Sequence, residues 1–421
     1  MSVFTVNIKL GEDELSISNE DIIEVNVIED IYDFCMSGNI TFYDRVGWIE
    51  LFENIGAFIP LTIIWEENDI EPSQKTFQVF ATEVIIQESI HEPIKKIKWY
   101  FIEPMLSSLS HRRYSLAWGE GKKGSEIISD ISKNILGIES TDDFVEFEET
   151  QETFDNFWMP YWTAGEAISW IKMRCSGSKS QQAGYLFFNN SLGSNFVTIG
   201  TLMESTYREE DENGNSMKYI FSSTGGEANK VLAWELHPPE YMNVPEFAGG
   251  KSFGFNPDSK ELITLNHSYT DHFADSETGA SISLFGNSTS FPDITTPNAD
   301  MIIEGESDIK KMYNMKNHMF ISKYLPQMTA HIIVRGESSR FAGMVIDTEW
   351  KSMDSQVITD KQLEGLWLVK AITHQFVPLA KPPYRQRMVC IKPGPNKTES
   401  DLLYKPDKAT KAQAVPYISK K

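Results

Sequence analysis

The sequence predicts a mainly β chain with an α+β insert: two antiparallel β-barrel domains separated by a helical and irregular insert domain. Three observations predict it. Residues 3–103 carry six short runs that alternate apolar and polar residues, with Gly, Asn, Asp and Pro between them. Helical periodicity replaces alternation from Ser125 and again over 162–175. Alternation returns after residue 328.

The first run, "VFTVNIKL", puts Phe4, Val6, Ile8 and Leu10 on one face. "IIEVNVI", "NITFYD", "LTIIW", "KTFQVFATEVIIQ" and "IKKIKWYFIE" continue the pattern, and six short strands with turn chemistry argue for a barrel or sandwich. This predicts a first barrel over 1–105. The α+β insert is expected over 106–228. Within it Ile127, Ile128, Ile131 and Ile135 share one helical face, with Ser125 read as N-cap and Gly137 as the stop. The acidic run "TDDFVEFEETQETFD" (141–155) reads as a solvated loop. Thr163 and Glu166 have capping-box spacing ahead of Ile168, Trp170 and Ile171. "GYLFFNN" and "NFVTIGTLM" read as a hairpin.

Residues 229–239 read as a strand of the second barrel, ended by two prolines. The Gly-, Ser-, Asn- and Asp-rich stretch 240–310 is expected to be an irregular excursion packing with the insert. Residues 311–395 supply a helix and the second barrel. In that helix Met312, Met315 and Met319 are expected to face the core. The last part, 396–421, is polar, lysine-bearing and proline-broken, and reads as an extended tail.

Among its 421 residues the chain has 38 basic and 60 acidic side chains, a net charge of −22. Such a surface repels polyanions, which argues against specific nucleic-acid binding. No apolar run is long enough for a membrane-spanning helix, and the N-terminus lacks the pattern of a secretory signal. Cys35, Cys175 and Cys390 are widely spaced, lack metal-ligand spacing, and read as small buried hydrophobes or free thiols in a reducing compartment.

The stretch "GEGKKGSE" invites comparison with a phosphate-binding loop. Gly119 and Gly124 have the right spacing, but Ser125 follows Gly124 directly and the required lysine position is missing. The segment therefore reads as a turn into a helix. None of the eight histidines forms a metal-ligand spacing; His267, Asp271 and His272 come nearest and match no familiar site. His374 shares strand phase with Leu366, Leu368 and Ile372 and reads as a hydrogen-bonded core histidine. No nucleophile elbow is present. The sequence thus yields no catalytic, cofactor-binding or metal site.

Four stretches carry a resemblance. They are Gly38, Ile40, Phe42 and Asp44 in "IYDFCMSGNITFYD"; Ser125 in "HRRYSLAWGEGKKGSEIISDI"; Thr163 and Glu166 in "YWTAGEAISWIKMRC"; and Trp367, Val369, Ile372 and His374 in "LEGLWLVKAITHQF". In this order they resemble the central baseplate hub proteins of contractile-tailed bacteriophages. The resemblance implies two tube-like barrels per chain and a homotrimer of pseudo-sixfold symmetry. Such a ring would adapt the hexameric tail tube protein to the trimeric central spike protein, contact other baseplate proteins, and let the genome pass through its channel. It implies a structural, non-enzymatic role, no cofactor, and a place in the virion baseplate after assembly in the host cytoplasm. Segment 240–310 and the tail match nothing in the family's pattern. Two other readings fit a β-rich chain: a tail-associated carbohydrate hydrolase, and a glycan-binding module with exposed aromatics on a flat face.

Overall fold

The computed structural model describes residues 3–10, 13–48, 59–66, 73–87, 94–179, 182–204, 218–221, 231–237, 250–256, 260–267, 306–352, 355–359 and 363–392. The first β-region contains β1 (Val3–Leu10), β2 (Asp13–Ile17), β3 (Ile22–Asp30), β4 (Ser37–Tyr43), β5 (Ile59–Glu66), β6 (Ser73–Gln87) and β7 (Ile94–Ile102). The insert holds β8 (Arg113–Ala117), β9 (Lys122–Lys123), α1 (Gly124–Ile131), β10 (Phe144–Phe147), β11 (Thr153–Phe154), β12 (Trp158–Thr163), α2 (Ala164–Lys172), β13 (Tyr185–Asn189), β14 (Ser194–Thr198) and α3 (Ile199–Glu204). Then come β15 (Lys218–Phe221), β16 (Val231–His237), β17 (Gly250–Asn256), β18 (Glu261–His267) and α4 (Glu306–Tyr324). The chain closes with β19 (Met328–Arg335), β20 (Val345–Ser352), β21 (Ser355–Thr359), β22 (Gly365–Phe376) and β23 (Tyr384–Lys392).

The two β-regions share one 14-stranded sheet, whose main path is β16-β19-β23-β22-β3-β4-β7-β6-β5-β1-β2. The link is the antiparallel pair β22–β3, from Ala371↔Asp30 to Phe376↔Val25. Each half has its own core. Around β3, β4, β6 and β7 the inward-facing residues are Val25, Val27, Ile40, Phe42, Phe77, Ile97, Trp99 and Phe101. Phe42 meets Trp99 edge-on at 4.8 Å between ring centroids. The other half buries Ala330, Ile332, Val334, Trp367, Val369, Ile372, Met388 and Cys390. The period-two burial of β3, β4 and β19 is what alternation in the sequence predicts.

The insert packs α1 and α2 around a third core containing Ile127, Ile128, Ile131, Ala167, Ile168 and Ile171. Gly124 is required there, because a Cβ would lie 2.7 Å from Cys175 Sγ. Gly137 closes the segment after α1 in the left-handed region at φ 80°. β13 and β14 form the expected hairpin. A fourth cluster joins the regions: Ile31 of the first, Leu186, Phe188 and Val197 of the insert, and Leu368 and Ile391 of the second. All three cysteines are free and buried.

Four expectations change. The acidic run 141–155 is not a solvated loop: it contains β10 and β11, and Phe144, Glu148, Thr150, Glu152 and Phe154 are buried. Even-numbered residues dominate that list, so the run carried a strand phase hidden by its charge. Ser125 is not the N-cap of α1; Lys123 holds that position, and its N–H donates to Glu126 Oε2 at 3.0 Å. Within 240–310, residues 250–256 and 261–267 pair as an antiparallel hairpin. In α4, Met312 is buried, but Met319 is 45% exposed and the covered face carries Lys311, Asn314, Asn317 and His318. The polar tail 396–421, Asp271 and His272 lie outside the described residues.

Candidate assembly interface

The residues singled out by resemblance fall into two groups. Gly38, Ile40 and Phe42 on β4, and Trp367, Val369 and His374 on β22, flank β3 on its two sides. A Cβ at Gly38 would lie 2.1 Å from Asn26 O and 2.6 Å from the Phe101 ring, so β4 can lie here only with glycine. Ile40, Phe42, Trp367 and Val369 are fully buried, and the Trp367 indole donates to Leu363 O at 3.0 Å. Asp44 Oδ1 ends the hairpin by accepting the N–H of Gly47 (2.8 Å) and Trp48 (2.7 Å). The second group sits apart on the insert. Ser125 and Thr150 exchange hydrogen bonds, N–H to hydroxyl in both directions, at 3.0 and 3.2 Å. Thr163 and Glu166 form a capping box: Thr163 Oγ1 accepts from Glu166 N (3.2 Å), and Thr163 N donates to Glu166 Oε2 (2.8 Å).

His374 is fully buried and belongs to a network the sequence did not disclose. Gln386 Oε1 accepts from Glu337 N and from Arg340 Nη1, both at 3.2 Å, which fixes the amide orientation. Its Nε2 therefore points at His374 Nδ1 (3.3 Å) and Tyr384 Oη (3.2 Å). An amide nitrogen only donates, and its two hydrogens go to Glu337 O (2.6 Å) and Tyr384 Oη, so the Tyr384 hydroxyl hydrogen is left for His374 Nδ1, and the ring's Nε2–H donates to Glu29 Oε1 at 3.1 Å. Tyr384 O–H completes the ring system by donating to Nδ1 at 2.8 Å. Glu29 also accepts Ser191 N–H (2.9 Å) and Ala342 N–H (2.8 Å). One carboxylate thus holds β3, the β13–β14 turn and the segment before β20.

Three further carboxylates do similar work inside the insert or at its borders. Glu103 accepts from Met36 N (2.8 Å) and Asn189 Nδ2 (2.9 Å). Burial pushes its carboxyl above the ordinary value, and those two hydrogen bonds pull the other way. Glu148 accepts from Thr198 Oγ1 and Thr201 Oγ1, both at 2.8 Å. Glu152 accepts Ser176 N–H at 2.6 Å and meets Lys310 Nζ at 3.0 Å. Each joins segments distant in sequence. No local pattern marks such a residue, because its partner is chosen by the fold.

Among the described residues, β6 and β16 each combine a strand side without a partner with exposed apolar side chains. β5 pairs with β6 only from Ser73 to Val79. From residue 80 to 87, β6 pairs with β7 alone among the described residues, and Phe80 is an extra residue at a bulge. Phe80, Val84, Ile85 and Ile86 are exposed along this stretch, Ile86 to 63%. At one end of the sheet path, β16 pairs only with β19 among the described residues and exposes Leu232 and Trp234. Exposed apolar edges of this kind are templates for pairing with another chain.

Among the described residues no three His, Cys, Asp or Glu side chains gather as a metal site. "GEGKKGSE" forms the β8–β9 turn and the start of α1, with Gly121 in the left-handed region at φ 79°. None of the described helices is long and apolar enough to cross a membrane.

No protein-family model matches the chain, and no curated protein matches it in sequence. Solved structures do. A tail protein from Neisseria meningitidis MC58 superposes with a TM-score of 0.57 at 8% identity, over 92% of this chain and 96% of that one. The 43 kDa tail protein of prophage MuSo2 from Shewanella oneidensis gives 0.56 at 10% identity, over 93% and 99%. Across nearly its whole length, the chain shares the β-rich fold of phage tail proteins.

Proposed function

We propose that the chain is a structural protein of a phage-type tail, the central hub of the baseplate. Three copies form a ring in which six β-regions stand in pseudo-sixfold order. The ring joins the hexameric tube to the trimeric spike and forms part of the genome conduit. The observation that carries this reading is the tandem of β-regions fused through β22–β3, with apolar edges at β6 and β16 that have no strand partner among the described residues. A lone enzyme or lectin has no use for such edges; a ring member does. The likeness in fold to two tail proteins supports the tail assignment. With −22 on each copy, acidic groups facing the channel would let DNA slide without adhering.

The test is the mass of the full chain in solution, alone and with tube and spike proteins. A trimer, or a monomer that trimerises with either neighbour, is expected. A monomer indifferent to both would sink the hub reading. Placing lysines on the open edge, Val84→Lys with Ile86→Lys, is expected to abolish trimer formation while leaving the monomer folded. A basic channel wall in the assembled ring would refute the sliding argument separately.

A further inference from the structure

β8 and β12 form a two-stranded ribbon on the insert, separate from the main sheet. One face of it is unlike the rest of this acidic chain. Its pairing register shifts between Met159 and Trp162, so Pro160 and Tyr161 together bulge opposite Ser115. Tyr161 takes φ 55°, a left-handed conformation that is costly for a bulky residue. The bulge has a clear geometric result. Strict alternation would point Tyr161 inward with Met159; instead Met159 and Thr163 stay buried and Tyr161 turns out. Tyr161 is 66% exposed and Trp158 is 67% exposed.

Arg113 braces this arrangement. Its Nη1 donates to Tyr161 O at 3.2 Å, and its guanidinium lies 6.0 Å from the Tyr161 ring centroid. His111 and Arg112, also exposed, precede it. Trp, Tyr and Arg are the side chains that anchor protein interfaces, and strain spent on exposing one has no use in an isolated molecule.

The same insert carries a surface of the opposite kind. A cleft of about 800 Å³ is lined by Asp130, Asp142, Glu146 and Glu149 together with the rings of Phe144 and Phe147. Lys122 and Lys123 also line it, each beside a carboxylate: Glu126 at 3.9 Å and Glu149 at 2.8 Å. Its chemistry is aromatic and acidic; the ribbon is aromatic, its Arg113 lies 3.6 Å from Glu166, and the exposed Arg112 and His111 beside it supply the complementary basic groups.

We propose that the ribbon of one copy docks in the acidic cleft of the next, with Trp158 and Tyr161 as anchors and Arg112 and His111 facing the carboxylates. Such a contact is heterologous, and three copies close into a ring when each is turned by a third of a revolution from the last. It deepens the ring reading and rests on it, adding a contact between inserts that is independent of the strand edges.

The test is sedimentation equilibrium of the full chain and four variants. The pair Trp158→Ala and Tyr161→Ala, both on exposed positions, is expected to weaken self-association at least tenfold with an unchanged circular dichroism spectrum. Arg112→Glu and Asp142→Lys should each weaken it, and one chain carrying both should recover. If the unaltered chain never self-associates, the ring reading itself fails. If it associates and the aromatic pair is as tight as the parent, only this proposal fails. Retained self-association with lost binding to a tube or spike protein, or to a peptidoglycan fragment, would reassign the ribbon and overturn the proposal.

Discussion

Two interiors of this molecule are built from polar side chains, and they differ in how completely those side chains are satisfied. At the β22–β3 junction, Glu29, His374, Tyr384, Gln386 and Arg340 are all buried, and their hydrogen bonds interlock. Arg340 alone donates to Tyr219 Oη (2.7 Å) and Arg335 O (2.6 Å) and pairs with Glu337 (2.7 Å). At the seam between α4 and the insert, Lys311, Asn314, Asn317 and His318 are equally buried. There, His318 Nδ1 has no hydrogen-bond partner among the described residues, and Lys172 lies over the Phe34 ring at 5.2 Å. Burying polar groups is costly unless the network closes. The junction closes and acts as a lock; the seam, where Asn314 Nδ2 donates to Arg174 O at 3.2 Å, keeps one buried ring nitrogen unmatched among the described residues.

Breaking the lock should have the largest effect. Glu29→Ala leaves two backbone N–H groups and the His374 ring without their acceptor. We expect a loss of about 3–5 kcal/mol, read from the denaturant midpoint. A loss below about 1 kcal/mol would show that the two regions do not depend on this carboxylate.

The seam should respond to acid. Burial first, and then the nearby Lys172 ammonium, lower the His318 pKa to about 4. A histidine lowered below its unfolded value of about 6.5 binds fewer protons in the folded state than in the unfolded state between those pH values. Stability is therefore intact above about pH 6.5 and falls as pH drops toward 4, by about 3 kcal/mol in all. His318→Gln should flatten the pH dependence of the unfolding midpoint in that window; an unchanged slope would place the titration elsewhere.

Lys172 gives a smaller, opposite change. Burial lowers its pKa to about 8, so at neutral pH the protein carries an unfavourable charge. Lys172→Met should stabilise by about 1–2 kcal/mol at pH 7, with the gain fading as pH rises through 8 toward 10. It should also raise the His318 pKa, readable by NMR titration. The smallest effect is expected at the start of α2, the helix that carries Lys172. Thr163→Ala should cost about 1 kcal/mol by removing the cap, with no change in the pH profile.

The contrast also marks what the sequence could disclose. Patterns with a local cause were legible: the alternating strands, the capping box at Thr163 and Glu166, and Gly137 closing the segment after α1. So was the core phase of His374 on β22. Its partner was not, because Glu29 lies 345 residues away and nothing near either residue names the other. The buried Glu148 and Glu152 were masked by chemistry, since charge in a run usually signals solvent. Met319 failed for the converse reason: the apolar spacing on α4 was real, but its covered face mixes Met312 and Ile321 with Lys311, Asn314, Asn317 and His318, and Met319 falls outside it.

The β22–β3 pairing has a consequence for synthesis. β3 leaves the ribosome early, but its partner strand begins only at Gly365. At about 5–20 residues per second, Asp30 waits roughly 20–70 s for Ala371. Throughout that time β3 has one open edge and Glu29 lacks its histidine. The first half of the chain must therefore be kept from pairing with other nascent chains until the second half arrives, and a C-terminal truncation before β22 should be recovered as aggregate rather than as a smaller folded protein.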